Sequence, residues 1–349
     1  MITRANYGED HIRELQAVSK GDPGLIERTL YAFGLLEALA KVGLDFTFKG
    51  GTSLLLLLPK PKRLSTDIDI VVKPNTDIDE YIEKASVIFP FTRKEEQRRI
   101  GKNNIVKRHF KFSYDSPIRQ GQLYILLDVL FEENHYERLV SREIKNDLLL
   151  TEGENLSVVL PSVDCILGDK LTAFAPFTTG IPLRSGKDME VIKQFYDIST
   201  LFDVFENFAD LERTYFAVSD AELRYRGNGF TSRQALEDTI QAAVCIGSRG
   251  KMSTDDYEYY VKGTRDILNH IYERPFSAEI AASMAPKVIY LAACLLTGSA
   301  LEREPDMDSL RHEKLTQTDL QTMKYFRKLR TDAYGYLVLA DRMLRDYRG

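Results

Sequence analysis

Lys49-Gly50-Gly51-Thr52-Ser53, then Arg63-Leu64-Ser65-Thr66-Asp67-Ile68-Asp69-Ile70-Val71-Val72, together set what the first half of this chain must become. Asp67 to Val72 alternates acid and isoleucine before two valines, which is the period of a strand. Side chains two apart on a strand share a face, so Asp67 and Asp69 point together while Ile68 and Ile70 enter the opposite packing layer. Two carboxylates that close repel each other, and one pKa rises unless a cation sits between them. A divalent ion answers this, and hard oxygen ligands favour magnesium or manganese. Upstream, Phe46 to Lys49 reads as a short strand stopped by Gly50-Gly51. The glycines let backbone approach a ligand closely, and the helical turn that Thr52 opens offers free amides. A hydroxyl of Thr52 or Ser53 adds a donor for a phosphate. That turn breaks at Pro59-Lys60-Pro61. Arg63, Lys60 and Lys62 lie in the loop just before the acids, where the two lysines read equally well as a solvated turn.

Holding two metal ions around a phosphoryl group takes a third acid. Asp128, in Leu126-Leu127-Asp128-Val129-Leu130, is the candidate, because a charge in so apolar a strand is costly unless paired or coordinated. The competing reading is an edge-strand acid facing solvent.

Working outward, Leu25, Ile26, Leu30, Phe33, Leu36 and Leu39 after Pro23-Gly24 predict an amphipathic helix ending near Gly43. Residues 77–88 read as helix, 105–114 and 123–131 as strands, and 148–151 with 156–160 as a short strand pair. From Pro161 the texture changes to longer helical stretches, 163–174 and 187–205 among them. Beyond about Glu206 the periodicity is almost wholly helical. The economical architecture is an α/β (α+β) domain over 1–160 followed by a mostly helical domain over 161–349.

The 349 residues are 44% hydrophobic and 28% charged, the composition of an ordinary globular protein of about two domains. A formal net charge of −5 requires any basic surface to be local. The first ten residues lack the apolar core of a signal peptide, and the longest apolar runs, 54–58 and 288–296, fall short of a bilayer span. A cytosolic protein with no membrane partner is expected. Three cysteines in apolar stretches, without CxxC spacing, read as reduced buried thiols. The five histidines show no metal-ligand spacing.

Lys49-Gly50-Gly51-Thr52-Ser53-Leu54 through Arg63-x-Ser65-x-Asp67-Ile68-Asp69 resembles the AbiEii/AbiGii-type toxin nucleotidyltransferases, within the polymerase-β-type superfamily. The resemblance covers about residues 30–200. It implies a mixed sheet flanked by helices, with Gly50, Gly51, Thr52, Ser53, Arg63 and Ser65 around a nucleoside triphosphate. Asp67, Asp69 and Asp128 would be the magnesium (or manganese) ligands and catalytic acids. A late motif of the family matches Asp169-Lys170-Leu171-x-Ala173 and Lys193-Gln194-Phe195-Tyr196-Asp197, with Gln194 where the family carries a first acid. Lys170 would then neutralise triphosphate charge, and Asp197 would orient that lysine or take a proton from the acceptor hydroxyl. Without the resemblance the pair reads as an ordinary ion pair. The implied acceptor is RNA, tRNA in particular, and the implied role is the toxin of a toxin–antitoxin or phage-defence pair with a separate antitoxin protein.

Between Phe91 and Gln120, Arg93, Lys94, Arg98, Arg99, Lys102, Lys107, Arg108, Lys111 and Arg119 outnumber the acids, as contact with a phosphate backbone requires. Phe110, Phe112 and Tyr114 alternate with Lys111 and read either as a stacking platform or as core. Two rival functions are a nucleotidyltransferase acting on a small molecule or protein, and a non-catalytic nucleotide- or partner-binding module.

Overall fold

A computed structural model describes residues 1–60, 62–97, 106–227, 229–272 and 275–348. The chain forms two compact units, Met1–Ser162 with Asn269–Arg274, and Val163–Leu268 with Pro275–Gly349. The return of a distant short segment to the first unit has no counterpart in the sequence reading. Its cause is backbone pairing, which side-chain periodicity does not report. Leu64 N–H donates to the His270 carbonyl at 2.7 Å, Tyr272 N–H donates to the Lys62 carbonyl at 3.0 Å, and Arg63 bridges Ile271.

The first unit holds helices α1 (Glu9–Ser19), α2 (Pro23–Lys41), α3 (Gly50–Leu57) and α4 (Asp79–Ser86). Its strands are β1 (Thr47–Lys49), β2 (Ile68–Val72), β3 (Arg93–Gln97), β4 (Lys107–Asp115), β5 (Gln122–Phe131), β6 (Leu139–Glu143) and β7 (Ser157–Pro161). They form one mixed sheet in the order β3-β4-β5-β2-β1-β7-β6. The β2/β5 and β1/β7 neighbours are parallel and the others antiparallel. Asp22 starts α2, its side chain accepting from Leu25 N–H, with Pro23 preset for the first turn. This helix is buried well beyond one stripe, with even Glu27 and Thr29 inside. It packs on β2, β5 and α4, and Tyr31 stacks on Tyr114 of β4 with ring centroids 3.6 Å apart.

Two strand expectations need correction. Residues 148–151 do not pair with β7; its antiparallel partner is β6, and Thr151 forms only a bridge to Ile2. Polar β3 also joins the sheet as an edge strand. Both β3 and β6 are mostly exposed, and an edge strand held by backbone bonds needs no apolar alternation.

The second unit is helical among its described residues: α5 (Val163–Ala173), α6 (Asp188–Leu201), α7 (Phe208–Arg226), α8 (Ser232–Gly247), α9 (Thr254–Asp266), α10 (Ala278–Thr297), α11 (Met307–Leu310), α12 (Thr318–Gln321), α13 (Phe326–Leu329) and α14 (Thr331–Arg348). Asn207, Thr231, Ser253 and Ser277 each cap a following helix through a side-chain oxygen. Gly168 lets α5 approach α7, since a Cβ there would stand 2.8 Å from the Leu211 carbonyl oxygen. The apolar α10 is longer than the run 288–296 suggested. Its 20 residues meet the length and composition of a membrane span, yet its most apolar window is 72% buried inside this unit, packed by α8 and α14.

Candidate active site

The acids meet through strand register. Parallel pairing sets Asp69 of β2 opposite Asp128 of β5, antiparallel pairing sets Lys49 of β1 opposite Asp69, and β4 sets His109 opposite Asp128. Directly opposed residues share a face, so Lys49, Asp69, Asp128 and His109 form one row across the sheet. The flanking Ile68, Ile70, Leu127, Val129 and Phe110 are buried on the other face. Asp128 is therefore not an edge-strand acid: β5 lies inside the sheet, between β4 and β2. His109 Nδ1 lies 2.6 Å from Asp128 Oδ1, with the imidazole 12% and the carboxylate 37% exposed. Asp67 stands just before β2 and is exposed, while Asp69 is half-buried.

The glycine pair belongs to α3 itself, which starts at Gly50 rather than at Thr52. Gly50 has φ +81°, and a Cβ there would collide with the Asp69 carboxylate. At Gly51 a Cβ would meet the Arg63 guanidinium and, at 2.9 Å, the Ser65 hydroxyl. The missing side chains thus let Asp69, Arg63 and Ser65 close on the first turn of α3, whose amides have no partner within the helix. Thr52 and Ser53 are buried with their hydroxyls engaged internally. Thr52 Oγ1 donates to the Asp67 carbonyl at 2.6 Å and Ser53 Oγ to the Gly50 carbonyl at 2.8 Å. Thr52 thereby fixes the backbone of the first acid, and the amides of the turn are the donors left for an anion. Arg63 is buried in a loop clamped by residues 270–272.

Lys170 and Asp197 belong to the second unit. Lys170 Nζ lies 2.9 Å from Asp197 Oδ2 and donates to Gln194 Oε1 at 2.9 Å. Both charged side chains are buried, at 9% and 2% exposure. Gln194, which stands where the resembling motif carries its first acid, accepts from the lysine.

Among the described residues, no three His, Cys, Asp or Glu side chains form a ready-made metal cage. Magnesium characteristically takes one or two protein carboxylates and completes its shell with phosphate oxygens and water. The Asp69–Asp128 pair, with Asp67 just before the strand that carries Asp69, suits that mode.

Part of the basic segment is already paired, and its aromatic residues follow the core alternative. Lys94 pairs with Glu83 at 2.6 Å, and Arg108 with Asp79 at 2.7 Å and Glu96 at 2.8 Å. Phe110, Phe112 and Tyr114 are core residues, so they offer no stacking platform. Arg98, Arg99 and Lys102 lie outside the described residues.

His109 escaped the sequence reading, and Gln194 and Lys49 were read there without a role. The strand parity of His109, opposite to that of Phe110 and Phe112, marks it as facing away from the core, but only the register with β5 reveals which acid it meets.

A family model described as "Nucleotidyl transferase AbiEii toxin, Type IV TA system" matches residues 34–280. No curated protein matches the chain. The crystal structure of JHP933 from Helicobacter pylori is similar at 12% identity and a TM-score of 0.43, covering 78% of this chain and 93% of that one. A second H. pylori structure, of a candidate nucleotidyltransferase, gives the same identity, TM-score and share of this chain, and covers 96% of its own.

Proposed function

The chain belongs to the AbiEii nucleotidyl transferase toxin family, and from that premise we propose that it moves a nucleotidyl group from a nucleoside triphosphate to a hydroxyl of RNA, tRNA in particular. The observation that carries this reading is the pairing of Asp69 with Asp128 beside the glycine turn of α3. That arrangement puts acids and free amides at one end of the sheet, as a triphosphate and its counter-ions require.

Asp67, Asp69 and Asp128 are the residues that would hold magnesium or manganese. Such an ion supplies neutralisation of phosphate charge and a lowered pKa for the attacking hydroxyl. The α3 amides, with Arg63 and Ser65 against Gly51, bind the phosphate tail. His109 orients the Asp128 carboxylate through its short contact. Lys170 and Asp197 enter through the motif: the lysine balances triphosphate charge, and the aspartate with Gln194 holds its ammonium in place. Pyrophosphate leaves as the new phosphodiester forms. The family is one of toxin–antitoxin systems and implies an antitoxin partner. A cytoplasmic site of action, where nucleoside triphosphates and tRNA coexist, and a phage-defence role belong to the same proposal.

The test is incubation of purified protein with magnesium, each labelled nucleoside triphosphate and total bacterial RNA, beside Asp67→Asn. Label is expected in an RNA band with the wild type alone, and EDTA should abolish it. Label on a small molecule or on protein instead would replace RNA as the acceptor. A folded protein that transfers nothing would leave a binding module.

A further inference from the structure

The segment 311–330 of the helical unit lies beyond the family match and differs from the rest of this acidic chain. It carries Arg311, Lys314, Lys324, Arg327, Lys328 and Arg330 against only Glu313 and Asp319. Both acids are already matched: Arg342 donates to Glu313, and Asp319 lies 3.4 Å from Arg348. The six cations are all exposed, and none has a carboxylate partner among the described residues. Four of them, Lys314, Lys324, Arg327 and Lys328, rim a cavity of about 710 Å³ walled by Leu315, Tyr325, Leu329 and Tyr334. A second cleft of about 360 Å³ shares Gln321, Lys324 and Tyr325 with it and runs on to Lys251. Tyr325 anchors the junction. Its hydroxyl donates to the Gly247 carbonyl at 2.6 Å, and Arg249 and Lys251 stand 5.3 and 5.5 Å from its ring centroid. Leu329, 69% exposed, leaves an apolar wall open to solvent.

We infer that this groove binds a single-stranded stretch of RNA, an inference that rests on the RNA-acceptor reading above. Unpaired cations strung along two joined clefts match a run of phosphates better than a single anion, and their field is not cancelled locally. The apolar wall between them, with a half-buried tyrosine, suits bases turned inward from a backbone tracked by lysine and arginine. By contrast, the described lysines and arginines with the strongest pairs around β3 and β4 are held by Asp79, Glu83 and Glu96.

The experiment measures binding of a labelled single-stranded RNA of about 20 nucleotides, a length spanning typical single-strand sites, across a salt series. Full-length Asp67→Asn protein is used without nucleotide, alone and combined with Lys324→Glu/Arg327→Glu/Lys328→Glu. The reversal is expected to weaken binding on the order of tenfold or more and to flatten the log–log salt slope by about 2, at roughly 0.7 per phosphate contact. Arg13→Glu/Lys20→Glu/Lys41→Glu, with the same charge change in the other unit, should leave both unchanged. Equal loss in that control, no effect of the groove reversal, or no RNA binding at all overturns the proposal. Tighter binding of a polyglutamate peptide of equal length also overturns it, in favour of an acidic protein segment. The label-transfer assay separates the two readings. RNA labelled by the wild type with binding indifferent to the reversal leaves the acceptor and removes the groove. RNA bound through the groove but never labelled does the opposite.

Discussion

Lys170, proposed above to balance triphosphate charge, has a structural part to play through the same contacts. Its ammonium and the Asp197 carboxylate are both buried, and each makes the other tolerable. Removing one partner of such a pair leaves an uncompensated buried charge, at a cost of about 3–5 kcal/mol, whereas an apolar replacement of both is often neutral. Lys170→Met alone and Asp197→Leu alone are therefore expected to unfold at clearly lower denaturant. The double variant should recover much of that stability. If Lys170 acts on the triphosphate, nucleotidyl transfer stays lost in the double variant; recovered transfer would assign the pair to the fold alone. The sequence motif named these two residues. It did not show that Gln194 completes the lysine's environment, because hydrogen bonding to a neighbour one helical turn from Asp197 depends on where α5 and α6 pack.

At the scale of elements, α8 carries Asp238 into the helical unit, where it accepts from Phe177 N–H at 2.8 Å and Thr178 Oγ1 at 2.9 Å. Burial raises its carboxyl to about 6, outweighing those hydrogen bonds, which act in the opposite direction. A folded-state pKa above the unfolded one means the native state holds its proton longer. The associated stability is fully present below the unfolded pKa, near 4, and is lost as pH rises through 6. A shift of this size corresponds to about 3 kcal/mol. Wild-type stability should fall between about pH 4 and 7 relative to Asp238→Asn, as read by urea midpoints across that range. Parallel midpoint curves would refute the assignment. Element by element, the strongly periodic pieces were legible: α2, β2, β4, β5, α5 and α6 lie within a few residues of where the pattern puts them. Strands β3 and β6 were not, since sequences such as Arg93-Lys94-Glu95-Glu96-Gln97 carry no apolar face.

At the scale of the whole molecule, residues 269–274 leave the helical unit and join the first, clamping the loop that carries Arg63. Tyr272→Pro removes the N–H that donates to the Lys62 carbonyl, worth on the order of 1 kcal/mol, and with it a ring buried in the core of the first unit, whose loss costs about 3–5 kcal/mol. Limited trypsin digestion below the Tm of either variant is expected to cut after Lys62 faster in Tyr272→Pro than in Tyr272→Ala, which loses the ring but keeps the N–H; equal cleavage would show that the clamp does not order the loop. The sequence by itself determined the strand that bears Asp69, with Asp67 just before it, the glycine turn upstream, the apolar setting of Asp128 and the change to helix after residue 160. Each of these is written in local spacing, which hydrophobic period and glycine stereochemistry make readable. Only the tertiary structure decided that Asp128 stands opposite Asp69, that His109 meets Asp128 and that a segment near residue 270 holds Arg63 in place. Those are pairings of backbone across long sequence separations, and register between strands is fixed by the packing of the whole sheet rather than by either strand alone.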